Sequence, residues 1–128
     1  MNVLVIAPHM DDEVLGIGGS VARHVTEGDQ VTVCIVANRA YRHEYDPDLI
    51  NREKAEARRA QAILGYQELR FLDLPDERLD ERVQDIIIPL EEAYLDVKPD
   101  VVYVNHGGDV NQDHQAVFRA ALVVCRPH

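Results

Sequence analysis

The stretch that decides the fold is VLVIAPHMDDE, residues 3–13. Its first four residues form a short apolar run that predicts a buried β-strand. The strand is followed directly by a histidine and three consecutive acids: His9, Asp11, Asp12 and Glu13. Ligands of open α/β sheets bind at the carboxyl ends of the strands, and burying carboxylates without partners is costly. We therefore interpret the stretch as half of a ligand site; the alternative is an acid that merely caps the next helix, with His9 as a plain loop residue.

Short apolar runs alternate with longer stretches of helical periodicity along the rest of the chain, a pattern typical of βα units. The predicted strands are residues 2–7, 30–37, 68–72 and 101–104. The predicted helices are about residues 13–27, 50–64, 80–97 and 112–124, and we expect Pro89 to kink or break the third. The fold class is therefore α/β, a Rossmann-like three-layer fold with a mainly parallel sheet. The first and fourth strands of such a fold lie side by side, so we expect the active site at their carboxyl ends.

A second group of polar residues, HGGDVNQDH at 106–114, follows the fourth predicted strand. Two histidines and one aspartate, with a fourth position open for water, are a recurring catalytic zinc shell, and they also suit Fe(II), Co(II) or Mn(II). His9, Asp12 and His114 could form such a set across the crevice between the two strands. Asp11 could then take a proton from the water as general base.

The remaining residues of the second group each have two interpretations. Asp113 could accept a hydrogen bond from a ligand imidazole, or it could simply cap the last helix. His106 could take part in the chemistry, or it could be a surface or loop-fixing histidine. Asp109 could serve a turn beside the two glycines. The sequence pattern leaves these alternatives open.

Composition excludes several classes of protein. The 128 residues are 46% hydrophobic and 28% charged, which fits one soluble globular domain over residues 1–128. The net charge of −10 argues against a nucleic-acid surface. Two cysteines are too few for a disulfide framework, and neither a basic leader nor a membrane-spanning apolar run is visible. We expect a cytoplasmic protein with no nucleic-acid partner and no membrane span.

The two polar groups, at 9–13 and 106–114, together make the sequence resemble the PIG-L/LmbE-like zinc-dependent de-N-acetylases. The resemblance rests on APHMDDE at 7–13 and NQDH at 111–114, and it extends to LPDERL at 74–79, KPDVV at 98–102 and CRP at 125–127. It implies a hydrolase that uses Zn²⁺, or Fe²⁺ or another divalent metal, to remove an acetyl or small acyl group from the 2-amino position of an N-acetylglucosamine-type sugar. Matched by position, it implies His9, Asp12 and His114 as metal ligands and Asp11 as general base.

The sequence departs from the family pattern in two respects. Many members have histidine where Asn111 stands, and asparagine can donate a hydrogen bond to an oxyanion but cannot act as a general acid. The proton donor to the leaving amine would then be His106 or Asp11, of which we favour Asp11. The chain is also shorter than the usual family domain. We therefore expect the N-terminal part of that domain, truncated at its C-terminus, with an exposed sheet edge that favours a homo-oligomer.

Two other functions compete with the deacetylase. A metal-dependent phosphoesterase would use similar residues but needs more positive charge than Arg39, Arg42 and Arg52 provide. Arg52 or Arg39 could instead bind a hydroxyl or phosphate group of a deacetylase substrate. A non-catalytic module that binds a nucleotide or sugar has no glycine fingerprint to support it, because GIGGS at 16–20 does not supply G-x-G-x-x-G. The partner that the resemblance implies is a small amino-sugar substrate.

Overall fold

The computed structural model describes residues 1–127, in which four strands alternate with four α-helices. The strands are β1 (Asn2–Ala7), β2 (Gln30–Asn38), β3 (Glu68–Pro75) and β4 (Val101–Val104). The helices are α1 (Asp12–Thr26), α2 (Pro47–Leu64), α3 (Val83–Val97) and α4 (Gln112–Val124), with one 3₁₀ turn at Leu79–Glu81. None of the helices in the described part of the chain is long and apolar enough to cross a bilayer.

The strands form a parallel sheet in the order β3-β2-β1-β4, with helices on both faces. Side chains alternate along β1, as the pleat of a strand requires. Leu4 and Ile6 pack in a core with α3 and α4, whereas Val3 and Val5 pack in a second core with α1 and α2. Both faces of β1 are therefore buried, which explains its continuous apolar sequence. This architecture confirms the predicted three-layer α/β fold.

The arrangement of β1 and β4 fixes where the two polar groups lie. β1 is internal in the sheet and pairs with β4 from Val3↔Val101 to Ile6↔Val104. β4 forms one edge of the sheet and β3 the other. The loops that follow β1 and β4 therefore meet at the carboxyl end of the sheet, as expected for strands at a topological switch point.

β2 is one residue longer than predicted, and α2 and β3 are each about three residues longer. α2 begins at Pro47 rather than near residue 50, because the Asp46 carboxylate accepts hydrogen bonds from the N–H groups of Asp48 and Leu49. A proline in the first turn, where an N–H has no helical partner, reinforces this start. β3 continues to Pro75, because its pairing with β2 resumes after a register shift.

α3 does not break at Pro89, one of the two outcomes predicted there, because the helix continues through this residue. A proline in a helix interior costs about 3 kcal/mol. Ile86 and Leu90, on either side of it, are fully buried against the sheet and α4, and their burial offsets this cost. Non-helical backbone occurs instead within α1, at Ile17, where φ is −141°.

Candidate metal centre

Three side chains converge where the loops after β1 and β4 meet. His9 lies in the turn after β1, Asp12 is the first residue of α1, and His114 lies in the first turn of α4. Nδ1 of His9 is 3.2 Å from Nε2 of His114, and Oδ2 of Asp12 is 3.4 Å and 3.3 Å from these nitrogens. Ligands bound at about 2.0–2.1 Å to a tetrahedral metal lie about 3.3–3.4 Å apart. The three donor atoms therefore have the spacing of a metal-ligand set.

The second nitrogen of each imidazole faces a carboxylate. Nε2 of His9 is 2.7 Å from Oδ1 of Asp76 and 3.1 Å from Oδ2 of Asp113. Nδ1 of His114 is 2.9 Å from Oδ2 of Asp109. Because a carboxylate accepts the imidazole N–H, the proton stays on the rear nitrogen and the front nitrogen directs its lone pair to the centre. The donor set therefore fits a divalent cation.

Neither Asp11 nor Asp12, in the turn between β1 and α1, caps the helix with its side chain. Asp11 occupies the N-cap position with φ +86°, but its side chain makes no capping hydrogen bond. Oδ2 of Asp12 accepts the backbone N–H of His9 at 3.0 Å, which holds this carboxylate beside the two imidazoles. A non-glycine residue at positive φ is uncommon, although aspartate and asparagine tolerate it better than most. Asp11 is thus an exposed carboxylate that directly precedes Asp12 in the chain, and it is not among the residues that line the cavities at the centre.

The start of α4 separates the tasks of Asn111 and Asp113. Oδ1 of Asn111 accepts the N–H groups of Asp113 at 2.9 Å and His114 at 3.2 Å, so Asn111 is the helix cap. Asp113 is buried, and besides its contact with the imidazole it accepts the N–H groups of Glu77 at 2.6 Å and Leu79 at 3.1 Å. The structure therefore places Asp113 behind the imidazole of His9 and not at the helix N-cap.

Charges around the centre favour a cation. Burial alone would lower the pKa of His9, but hydrogen bonds to Asp113 and Asp12 and the charge of Asp76 raise it to about 10. Burial alone would raise the pKa of Asp12, but its hydrogen bond with His9 and the charge of His114 bring it below its ordinary value. The acids thus hold a positive charge on the imidazole. A metal ion that binds at the centre takes the place of this proton.

A polar cavity of about 600 Å³ opens in front of the centre. One of the two arginines predicted to contact substrate, Arg39, is among its lining residues. Arg39 lines the cavity and donates from Nη2 to the backbone carbonyl of Met10 at 3.3 Å. Arg78 and Asn111 line it as well. Arg52 is exposed on α2 and is not among the lining residues. The structure therefore brings Arg39, and not Arg52, to the centre.

His106 lies in a second, more apolar groove between α1 and β4. Asp12 and His114 line this groove as well as the polar cavity. It is exposed, and its Nδ1 accepts the backbone N–H of Gly108 at 3.0 Å, which fixes the loop. Gly107 is required by a close approach, since a Cβ there would lie 2.5 Å from the ring of Phe118. The structure therefore gives His106 a loop-fixing contact through Nδ1.

Sequence reasoning did not assign a role to Asp76. This residue lies in LPDERL at 74–79, directly after β3, and faces the rear of His9. An acid at the end of a third parallel strand was the available signal, because the carboxyl ends of all the strands share one side of the sheet.

Two other groups of acids and histidines in residues 1–127 bring potential ligand atoms within 4.8 Å of one another. One combines His9 with Asp76 and Asp113, and it uses the rear nitrogen that already faces these carboxylates. The other lies at the end of α1, where Nδ1 of His24 is 2.7 Å from Asp29. In that group Asp29 also pairs with the N-terminal amine, so both of its oxygens have partners. The set with three front-facing donors is the better metal centre.

Comparison with known proteins identifies the family of the chain. The sequence profile of the PIG-L family, described as GlcNAc-PI de-N-acetylase, matches residues 4–125. The chain belongs to the PIG-L family. This PIG-L chain is 33% identical to the uncharacterized deacetylase YaiS of Escherichia coli K12, over 98% of the chain and 68% of that protein. It is 35% identical to the probable N-acetyl-alpha-D-glucosaminyl L-malate deacetylase 2 of Bacillus subtilis 168, over 94% of the chain and 59% of that protein.

Solved structures share the PIG-L fold. The A40926 pseudoaglycone deacetylase Dbv21 matches with a TM-score of 0.85 and 25% identity, over 98% of this chain and 59% of that one. GalB, the 4-carboxy-2-hydroxymuconate hydratase of Pseudomonas putida KT2440, matches with a TM-score of 0.84 and 25% identity, over 97% of this chain and 55% of that one. The PIG-L chain thus spans between 55% and 68% of the length of these four relatives.

Proposed function

We propose that this PIG-L chain is a metal-dependent hydrolase that removes an acetyl group from the 2-amino position of an N-acetylglucosamine-type sugar. The observation that carries the proposal is the ligand set of His9, Asp12 and His114, whose donor atoms lie 3.2–3.4 Å apart. Zinc is the first metal to test and Fe²⁺ the second, since two imidazoles and a carboxylate suit both. The deacetylases among the relatives support the reaction class.

Individual residues around the centre have separate roles in the proposed reaction. A bound divalent metal supplies Lewis acidity for the acyl carbonyl and lowers the pKa of water. Asp11, which is exposed and directly precedes Asp12, takes the proton of the attacking water and returns it to the leaving amine. Asn111 caps α4 through Oδ1, which leaves its Nδ2 amide to donate a hydrogen bond to the developing oxyanion. His106, in the neighbouring groove, is the second candidate for the proton donor.

The cavity in front of the centre suits a hydroxylated substrate. Its lining is mostly polar and includes Arg39, Arg78 and Asn111, all of which can donate hydrogen bonds to hydroxyl or carboxylate oxygens. The Bacillus subtilis relative is named for a glucosaminyl malate, which combines an amino sugar with an acid. We therefore propose an N-acetylated amino sugar, with Arg39 as the residue that contacts its oxygens.

Phosphoester hydrolysis and hydration are the alternative reactions for this centre, and the charge of the cavity lining argues against the first. A phosphoesterase needs an excess of positive charge, whereas the acids Asp12, Asp76 and Asp113 line this cavity beside its arginines. The hydratase GalB shows that the fold also occurs in an enzyme named for the addition of water. Release of acetate, release of phosphate and hydration of an unsaturated acid are therefore separate readouts on the zinc-loaded protein.

Acetate release from N-acetylglucosamine and its malate derivative tests the proposal. Asp11→Asn should lower kcat by about 10²–10⁴-fold while zinc content stays unchanged, because a general base is lost and no ligand is. Asparagine tolerates the positive φ at this position. Asp80→Asn is the matched control, since Asp80 is an exposed acid outside the cavity lining. A zinc-loaded chain that releases no acetate, or an Asp11→Asn variant with full activity, would contradict the proposal.

A further inference from the structure

We propose that Asp76 is a positioning residue that holds the imidazole of His9 in the orientation that presents Nδ1 to a metal ion. The inference rests on the proposed metal-dependent function and adds a residue to its machinery. Asp76 supplies no atom to the front-facing ligand set and acts through the rear nitrogen of His9.

Both carboxylate oxygens of Asp76 face N–H donors. Oδ1 is 2.7 Å from Nε2 of His9, and Oδ2 accepts the backbone N–H of Ala40 at 2.8 Å. The side chain is 11% exposed, so water competes little for either hydrogen bond. Two donors in fixed positions restrict the carboxylate to one orientation. The carboxylate in turn restricts the rotation of the imidazole.

These contacts connect the ends of three strands. His9 follows β1, Ala40 follows β2 and Asp76 follows β3. The hydroxyl of Tyr45 also donates to the backbone carbonyl of Asp76, so both the main chain and the side chain of this residue are held. The sheet therefore determines the position of the carboxylate relative to the imidazole, and the position does not depend on one flexible loop.

Asp113 also faces Nε2, but its contacts indicate a different task. Its Oδ2 is 3.1 Å from Nε2, compared with 2.7 Å for Asp76, and the same oxygen accepts the N–H of Glu77 at 2.6 Å. Its Oδ1 accepts the N–H of Leu79 at 3.1 Å. Asp113 thus ties the segment after β3 to α4, and Asp76 is the closer acceptor for the imidazole.

Removal of Asp76 should weaken metal binding although every ligand remains. Without the closer carboxylate, the imidazole of His9 can rotate, and its proton can move to Nδ1 and occupy the lone pair that a metal needs. Loss of a carboxylate behind a ligand imidazole typically lowers metal affinity by about 10–100-fold. Asp76→Asn keeps the size of the side chain but offers one acceptor oxygen to two N–H donors. We expect its effect to be smaller than that of Asp76→Ala.

Cobalt(II) binding tests the inference, because its visible absorption reports the geometry of the ligands directly. The dissociation constant and the spectrum at saturation are measured for wild type, Asp76→Ala, Asp76→Asn and Asp80→Asn. Asp76→Ala should raise the dissociation constant by about 10–100-fold, with a smaller rise for Asp76→Asn. Both variants should shift the visible absorption, because the orientation of His9 changes. Asp80→Asn changes an exposed acid four residues after Asp76 and should match wild type.

Urea unfolding with EDTA present shows which variants fold. If Asp76→Ala does not fold, cobalt(II) binding by Asp76→Asn tests the inference. Wild-type affinity and spectrum in the Asp76 variants would overturn the inference and leave the proposed function intact. Weaker binding with an unchanged spectrum at saturation would assign a merely structural role and also overturn it. Failure of the wild-type chain to bind cobalt(II) or zinc would overturn the proposed function itself.

Discussion

Replacement of Asp113 by alanine should lower the free energy of unfolding by about 4 kcal/mol, a value obtained from its hydrogen bonds. Asp113 is 1% exposed, and its carboxylate faces the N–H groups of three residues: Glu77, Leu79 and His9. A buried donor left without a partner costs about 1–3 kcal/mol. Leu79 is fully buried and should account for about 2 kcal/mol, whereas Glu77 reaches solvent and His9 keeps Asp76, so each of these should account for about 1 kcal/mol.

Urea unfolding with EDTA present measures this loss without a contribution from bound metal. Asp113→Asn keeps one acceptor oxygen and should lose about half as much, or about 2 kcal/mol. Asp80→Ala removes an exposed acid and should change stability by less than about 0.5 kcal/mol. A loss below about 1 kcal/mol in Asp113→Ala, with an unchanged urea dependence, would refute the idea that this carboxylate ties the segment after β3 to α4.

The raised pKa of His9 gives a pH dependence with EDTA present. A group whose folded-state pKa is raised contributes its full stability below the unfolded value, so the stability difference between wild type and His9→Gln should shrink as pH rises from about 6.5 to about 10. A constant difference would contradict the raised pKa, and zinc affinity should increase over the same interval. Thiol titration of the native protein should detect one fast-reacting cysteine, the exposed Cys125, because burial raises the pKa of Cys34 to about 12; two fast thiols would show that the sheet opens readily. Leu4→Ala should lower the free energy of unfolding by about 2–5 kcal/mol, because Leu4 is fully buried under α3 and α4; a near-neutral effect would contradict the assigned core.

The fold could be predicted because its apolar runs are short and regularly spaced. Val3 to Ile6 form a continuous apolar run, which only a strand buried on both faces explains easily. The order of strands then follows from general rules of parallel sheets. The continuation of α3 through Pro89 could not be predicted, because it depends on the burial of Ile86 and Leu90, which is a tertiary effect.

The side chains of His9, Asp12 and His114 converge as expected because each residue lies within a few residues of a strand end or a helix start. The residues behind the ligands were harder to assign. Asp76 contacts His9 across 67 residues, and the sequence pattern placed it in a loop because it ended β3 at residue 72 and not at Pro75. Asn111 and Asp113 are both residue types that cap helices, so only the hydrogen bonds show which one does so.

The two arginines show the same limit of sequence reasoning for substrate contacts. Arg39 follows β2 directly and therefore lies at the carboxyl end of the sheet, where it lines the cavity. Arg52 lies on α2, and its direction depends on how that helix packs. Residues that directly follow strands can thus be placed from topology alone, whereas those on the connecting helices cannot.

Zinc content after reconstitution shows whether His9, Asp12 and His114 form one metal centre. Elemental analysis of wild type, His114→Ala and Asp12→Ala is compared with His24→Gln, which changes a histidine of the group at the end of α1. We expect about one zinc per chain in wild type and His24→Gln and little in the other two variants. Zinc retained at full stoichiometry in both His114→Ala and Asp12→Ala, or lost in His24→Gln, would contradict the account.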